Sequence, residues 1–358
     1  MNQKESLLLF DNCMIGICNI GCSYCREKSF KFVEKSKVKS HGNTIDLDRL
    51  SEKLETAIKH SQHYFDIPIM KLSGYGEFLL LPDAIDILKR ISKNYERVQV
   101  MTNGLILNEK IISELASIRG INICVSVDGH TTEMNKARNL SESSVKRIFR
   151  NISLLEKHGI PVEINSVLTK DNISVFGSFL SFLSDNYDSV TCYPFPVRGI
   201  QNKDIWVYGE EYAKELKSLL ELGDEEKNVL PHIEYLRKLI SFLKNKKRID
   251  KCYVGYVNLG LEPSGTIPVC ACSISKSVGN VSLQGARAFK KRKDSEVFAS
   301  FLSPKIEFNE CYRCFTHYEI INLYLDGTIS LGDISRISLF SGPNTKRILI
   351  RLKNKIKF

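Results

Sequence analysis

The sequence holds a single tryptophan and ten prolines, and no apolar run is long enough to span a bilayer. The last absence excludes a helical channel or carrier. No internal repeat and no low-complexity tract appears, which sets aside solenoids and disordered scaffolds. No secretory signal is recognisable, so a cytoplasmic location is expected and structural disulfides are not. With 43% hydrophobic and 26% charged residues, the composition is that of an ordinary globular protein. Its 358 residues suffice for two domains or one large one. A net charge of +10 suits an acidic partner: a peptide, a phosphorylated metabolite, nucleic acid or a membrane surface. The basic residues are spread along most of the chain, however, so charge by itself assigns no function, and no nucleic-acid partner is expected.

Cysteine, by contrast, is plentiful. There are 11, and they cluster, as metal ligands do. Cys18-Asn-Ile-Gly-Cys22-Ser-Tyr-Cys25 places three in one short C-x3-C-x2-C turn, straight after the apolar run Cys13-Met14-Ile15-Gly16-Ile17. Thiolates this close can converge on one iron–sulfur cube and leave its fourth iron open. The bland readings are a zinc knuckle, which needs a fourth ligand from elsewhere, and a disulfide staple, which needs an oxidising compartment. Cys13, Cys124 and Cys192 fall inside strand patterns and read as small buried hydrophobes.

Over the first two-thirds of the chain, β-rich runs at 11–18, 67–73, 97–102, 121–127, 161–168 and 189–195 alternate with helical patterns near 46–61, 82–94, 108–118, 141–158 and 172–186. Leu47, Leu50, Leu54, Ala57 and Ile58 recur at helical spacing, as do Ile148, Ile152 and Leu155, and these stripes read as core. The fold expected is α/β. Polar turns close successive strands: Ser73-Gly74-Tyr75-Gly76-Glu77, then Met101-Thr102-Asn103-Gly104, then Val125-Ser126-Val127-Asp128-Gly129 with Arg138 after it, then Asn165-Ser166-Val167-Leu168. Each alone is an ordinary turn. Their order at the C-terminal ends of strands, where barrels build active sites, makes them a site.

The triplet and the turns together resemble the radical S-adenosylmethionine (radical SAM) superfamily, which has this cysteine spacing and an aromatic residue, here Tyr24, before the last cysteine. The resemblance implies a partial (β/α)6 TIM-type barrel in which Cys18, Cys22 and Cys25 bind a [4Fe–4S] cluster. The open iron of that cluster holds the amino and carboxylate groups of S-adenosylmethionine. One electron then cleaves the sulfonium, and the 5'-deoxyadenosyl radical abstracts hydrogen from a substrate. Gly74, Gly76 and Glu77 would fix the cofactor's amino group, Ser126 its ribose or carboxylate region, Arg138 its carboxylate, and Asn165 its ribose. Tyr75 stands in or beside a position that is glycine in the family, so no particular carbonyl there is assigned. A reductant such as flavodoxin or ferredoxin is implied as a partner. Tyr193 and Phe195 suit an adenine wall or barrel packing equally.

A charged helical stretch at 206–250 reads as a linker over the barrel, its lysines and arginines a solvated face. Cysteines then return at Cys252, Cys270, Cys272, Cys311 and Cys314. Pro263-Ser264-Gly265 between two β-prone runs suggests a hairpin joining Cys252 to Cys270, and Cys311-x2-Cys314 is a chelating knuckle. This set resembles SPASM and twitch auxiliary domains, the shorter twitch type being the better match because no cysteine follows Cys314. Gly279-Asn280-Val281 resembles the step that follows in those domains. The resemblance implies one auxiliary [4Fe–4S] cluster on Cys252, Cys270, Cys311 and Cys314, in a small α+β domain. A structural four-cysteine zinc site has the same spacing. Cys272 is left unassigned. The expected domains are 1–205, 206–250, 251–334 and a tail, 335–358, with seven Lys or Arg and no acid. That tail reads as a short terminal helix or as a basic amphipathic surface able to touch an anionic membrane weakly.

Such enzymes modify ribosomal peptides, mature sulfatases or dehydrogenate small amino-sugar-like alcohols. The leading expectation is an oxidoreductase that modifies a peptide or protein. The short region before Cys18 speaks against an N-terminal peptide-recognition domain, which keeps oxidation of a sugar or polyol alcohol as the alternative. A zinc-binding interaction module is the remaining reading, and it leaves the strand-end turns without a purpose. Spacing nominates no catalytic base.

Overall fold

The computed structural model describes residues 4–12, 18–25, 31–34, 37–40, 43–46, 50–74, 76–198, 203–262, 264–270, 273–302 and 309–356. Its centre is one all-parallel sheet of seven strands: β1 (Leu9–Asn12), β2 (Ile69–Leu72), β3 (Arg97–Thr102), β4 (Ile121–Ser126), β5 (Val162–Leu168), β6 (Thr191–Pro196) and β7 (Asn258–Leu261). Their order across the sheet is β6-β5-β4-β3-β2-β1-β7. Strands buried on both faces need near-continuous apolar runs, and Ile121-Asn-Ile-Cys-Val supplies one; Val162–Leu168 is buried throughout although it carries the polar Glu163, Asn165 and Ser166.

Helices α1 (Leu50–Tyr64), α2 (Ala84–Ile91), α3 (Glu109–Ala116), α4 (Glu142–Lys157) and α5 (Phe176–Asn186) lie between the strands. Side chains cap two of them: Asn108 accepts from the Ile111 N–H and Ser141 from the Ser144 N–H. Ile148, Ile152 and Leu155 are fully buried, each such side chain contributing about 1.5–3 kcal/mol. Leu54, Ala57 and Ile58 are buried as the stripe on α1 requires, whereas Leu47 lies outside the described residues.

The α/β half-barrel expected from sequence is therefore present, with differences. The first strand begins at Leu9, and Cys18 stands in a loop; residues 13–17, including Cys13, lie outside the described residues. An antiparallel three-stranded sheet at Lys31–Glu34, Lys37–Ser40 and Asn43–Asp46 is not foreseen, because its short, polar-rich strands carry little apolar signature. The β-prone run after Cys252 reads as one arm of a hairpin, but β7 instead extends the barrel sheet, pairing parallel with β1. The hairpin that does form joins β8 (Thr266–Cys270) to β9 (Ser273–Asn280).

The 206–250 stretch includes α6 (Ile233–Asn245), whose Tyr235, Leu236, Leu239 and Leu243 are buried. Helix α7 (Ala286–Asp294) follows the hairpin, and α8 (Pro343–Ile356) closes the chain. Ile348, Leu349 and Leu352 of α8 are buried against the body of the protein. The apolar stripe that could have met a membrane is packed inside. No helix among the described residues is long and apolar enough to cross a membrane.

Candidate functional site

The Cys18–Cys25 loop is clasped from two sides. Ser23 donates its N–H to the Ala137 carbonyl (2.7 Å), and Asn139, in the left-handed region at φ 55°, donates from Nδ2 to the Gly21 carbonyl (2.6 Å). On the other flank Asn103 Nδ2 donates to Asn19 Oδ1 (2.6 Å) and lies 3.9 Å from Cys18 Sγ. Asn103 owes its place to the turn after β3. Gly104 takes φ 79° with its N–H on Thr102 Oγ1, and a Cβ there would stand 3.3 Å from Val125.

One buried carboxylate organises the rest. Asp128, 0% exposed, accepts the Tyr24 hydroxyl (2.6 Å) and the Val167 N–H (2.9 Å), and its Oδ1 pairs with Arg138 Nε at 3.0 Å. Arg138 in turn reaches Cys22 Sγ at 3.9 Å. Burial pushes the Cys22 thiol up to about 11, with Arg138 pulling the other way. Burial also holds the Tyr24 phenol well above its ordinary range, so it stays a donor. Thiols in such a place favour a cationic partner that stabilises the thiolates.

Glu77 stands just past β2, after Gly74 (φ 94°) and Gly76; Tyr75 lies outside the described residues. Its Oε2 accepts the Asn103 N–H (2.7 Å), so one residue ties Glu77 to the cysteine loop. Its Oε1 is buried with no well-formed hydrogen bond among the described residues, and burial lifts the carboxyl to about 7. Asn165 and Ser126 are cross-strand partners, and both polar atoms of the Asn165 side chain are likewise buried without a described partner. Such atoms are costly unless something polar meets them. Three thiols in one loop, an unpaired carboxylate oxygen and an unpaired amide fit a [4Fe–4S] cluster carrying an amino-acid cofactor: Cys18, Cys22 and Cys25 would hold the cluster, and Glu77, Arg138 and Asn165 its ligand.

The raised Glu77 carboxyl has a measurable consequence. A folded pKa above the unfolded value of 4.5 adds stability that is full below 4.5 and lost as pH rises through about 7. The metal-free protein is expected to lose denaturant midpoint between pH 4.5 and 7, and Glu77→Gln to flatten part of that slope. Glu163, also raised to about 7 by burial against the pull of Lys71, keeps the remainder. An unchanged slope in the variant would refute the assignment.

Deeper in the barrel lies a polar network unforeseen from sequence. Asp11 and Lys71 are in register on β1 and β2, and Lys71 is 1% exposed. Lys71 Nζ stands 2.6 Å from His317 Nε2, and Asp11 accepts from the hydroxyls of Ser73 and Tyr318. His317 sits among Tyr193, Phe195 and Tyr318 in edge-on and tilted contacts, with ring centroids 4.0–6.3 Å away. Burial, then Lys71 and Arg198, hold its imidazole well below the usual range, so it is neutral. His317 and Tyr318 follow Cys314 by three and four residues, and nothing in their local pattern marks them.

At the second cysteine set, Arg248 is the centre. It donates to the Cys314 carbonyl from Nε (3.0 Å) and Nη2 (2.8 Å), and Nη2 pairs with Glu319 Oε2 at 2.6 Å. Asn322 links Glu319 (3.1 Å) to Cys252 Sγ (3.5 Å), and the Cys314 N–H turns back onto the Cys311 carbonyl. These contacts gather Cys252, Cys311 and Cys314. Cys270 ends β8, and Cys272 lies outside the described residues. Among the described residues no three His, Cys, Asp or Glu side chains close tightly around a single metal ion. Arg248 and Lys238, expected to be solvated, are instead buried partners of Glu319, with side chains 4% and 14% exposed. Cys124 and Cys192 are buried strand residues, as expected.

Comparison with known proteins agrees with this geometry. Residues 12–183 match the radical SAM superfamily model. The chain is 23% identical over 272 residues to the antilisterial bacteriocin subtilosin biosynthesis protein AlbA of Bacillus subtilis, covering 74% of this chain and 55% of AlbA. It is 31% identical over 133 residues to neomycin C epimerase of Streptomyces fradiae, covering 37% of this chain and 38% of the epimerase. The chain thus spans about half or less of the curated relatives it matches. Among solved structures, anSMEcpe with bound AdoMet superposes with a TM-score of 0.60 at 17% identity, over 99% of this chain and 96% of that one. Streptococcus suis SuiB bound to S-adenosylmethionine gives 0.56 at 14% identity, over 87% and 69%. Both share the fold. With the cysteine loop clasped at the mouth of a parallel half-barrel, residues 12–183 of this chain are a radical SAM superfamily domain.

Proposed function

We propose that this chain is a radical SAM enzyme that oxidatively modifies a peptide or protein. The observation that carries it is the continuous linkage from the cysteine loop through Asn103 to Glu77 and through Arg138 to Asp128. Relatives named for bacteriocin biosynthesis and as a mycofactocin maturase support a peptide substrate. When bound, the cluster and S-adenosylmethionine supply a 5'-deoxyadenosyl radical that takes a hydrogen atom from the substrate. Glu77 Oε1 would receive the cofactor's ammonium, Arg138 its carboxylate and Asn165 its ribose. Lys71 and His317, with Phe195 beside them, would stand nearest a substrate in the barrel. Cys252, Cys270, Cys311 and Cys314 are read as ligands of an auxiliary [4Fe–4S] cluster, with electron transfer as its role. The similarity to neomycin C epimerase keeps a second reading, a small sugar or polyol substrate whose alcohol is oxidised.

Iron and sulfide are to be counted after anaerobic reconstitution, with cleavage of S-adenosylmethionine measured on the same sample. About eight iron per chain with 5'-deoxyadenosine formed is the expected result. About four iron with cleavage retained would remove the auxiliary cluster and point to zinc there. Zinc alone without cleavage would overturn the enzyme reading.

A further inference from the structure

Lys71 carries its side chain into the barrel without meeting a counter-charge. It is 1% exposed. Among the described residues its ammonium meets His317 Nε2 and the face of Tyr318, 4.9 Å from the ring centroid, and makes no ion pair. The carboxylates nearby are otherwise engaged. Asp11, its register neighbour on β1, takes the Ser73 and Tyr318 hydroxyls, and burial raises the Glu163 carboxyl to about 7. A buried cation in this position is costly unless an anion joins it.

A lysine ammonium has protons to give and no lone pair, so it donates to Nε2, and the neutral ring then carries its own proton on Nδ1. That N–H has no acceptor among the described residues. The ring is not sealed in: His317 and Phe195 keep partial exposure where Lys71, Tyr193 and Tyr318 are buried. It faces Lys71 on β2 and Tyr193 and Phe195 on β6, strands that three others separate, so it stands across the inside of the half-barrel. Tyr193 is the register partner of Asn165, which puts the ring next to the residue read as meeting the cofactor. The turn that carries His317 is fixed at both ends. Phe315 packs on the Tyr235 and Phe242 rings (centroids 5.3 Å), while Tyr318 bonds to Asp11 and Glu319 pairs with Arg248. The charged groups that act on the ring are Lys71 and Arg198, both positive.

We propose that His317, backed by Lys71, binds a carboxylate of the substrate, with Nδ1–H donating to one of its oxygens. His317 is the contact residue. Lys71 is a positioning residue: it fixes the tautomer and polarises the ring, which strengthens the hydrogen bond to an anion. The proposal rests on the peptide-modifying reading above. It narrows that reading to a peptide that presents an acidic side chain, or its own C-terminal carboxylate, beside the cofactor.

The test uses the anaerobically reconstituted full chain and follows deuterium exchange at the C2 position of each histidine by mass spectrometry, whose pH midpoint reports each ring separately. The chain has seven histidines, so those other than His317 are internal controls. N-acetylglutamate α-amide is expected to raise the His317 midpoint by about one unit, because an anion on the ring favours imidazolium, and the glutamine analogue to leave it in place. Lys71→Met should raise the carboxylate concentration needed by about tenfold, and Lys71→Arg by less. N-acetylglycine, whose carboxylate ends a chain, should act at the lower concentration if the C-terminus is the ligand, and the glutamate derivative if a side chain is; either order supports the site. A midpoint unmoved by both carboxylates overturns it. So does an equal shift with the glutamine analogue, or a shift with inorganic phosphate at lower concentration than either carboxylate. An unchanged concentration requirement in Lys71→Met overturns the part given to Lys71. S-adenosylmethionine cleavage is assayed on the same samples. Carboxylate binding with no cleavage in any of them leaves the site standing and sinks the enzymatic reading, whereas cleavage with an unmoved midpoint does the reverse.

Discussion

Asp128→Ala is expected to destabilise the protein by about 3–5 kcal/mol, because it strands the Arg138 guanidinium in the interior without its counter-charge. The two side chains are 0% and 6% exposed and 3.0 Å apart, so water cannot replace the lost carboxylate. Three elements lose their tie together: the Tyr24 hydroxyl, the Val167 N–H and, through Arg138, Cys22. The denaturant midpoint should therefore fall, and iron incorporated on reconstitution should fall with it. Asp128→Asn keeps the shape and an acceptor, so it should cost less. The pair Asp128→Asn/Arg138→Met should be milder than the sum of its parts, since no charge remains buried alone. A midpoint unmoved by Asp128→Ala would show that the loop is held by something else.

The barrel is legible in the sequence because its physics is local. Apolar runs such as Val98–Val100 and Ile121–Val125 read as strands buried on both faces, and the stripe at Ile148, Ile152 and Leu155 as a helix lying on them. The polar turns at Glu77, Asn103 and Asp128 are legible for a similar reason: a turn at a strand end faces the mouth of the sheet. What those residues do to one another is not. Asp128 reads only as part of a turn, and it takes the fold to show it gathering Tyr24, Arg138 and Val167. His317 and Lys71 are separated by 246 residues, so their contact has no trace in spacing. The same limit explains β7. Asn258-Leu-Gly-Leu is too short to declare which sheet it joins, and the edge of β1 decides it.

The 206–250 stretch is the most misleading in the sequence, and it carries the second large effect. A charged helical pattern ordinarily means a solvated face, yet Arg248 and Lys238 turn inward onto Glu319, which is 1% exposed. The second cysteine set thus repeats the device of the first, a buried carboxylate and guanidinium holding a thiol-bearing turn. Burial pushes the Glu319 carboxyl up, but Arg248 and Lys238 outweigh it and hold it below its ordinary range. Its stabilising contribution is accordingly present above the unfolded value of 4.5 and lost as pH falls through the acid range. Glu319→Ala at neutral pH leaves Arg248 without a charged partner and frees Asn322 from one of its contacts, at a cost of about 3–5 kcal/mol. Because Arg248 also grips the Cys314 carbonyl, and Asn322 the Cys252 thiol, the loss should appear in the metal content of the reconstituted protein if these cysteines hold the proposed auxiliary cluster. Chemical denaturation at pH 7 and at pH 4 should give a gap between wild type and variant that narrows on acidification. A gap of the same size at both values would mean that Glu319 acts through packing, and the charge pair would not be what holds the second site.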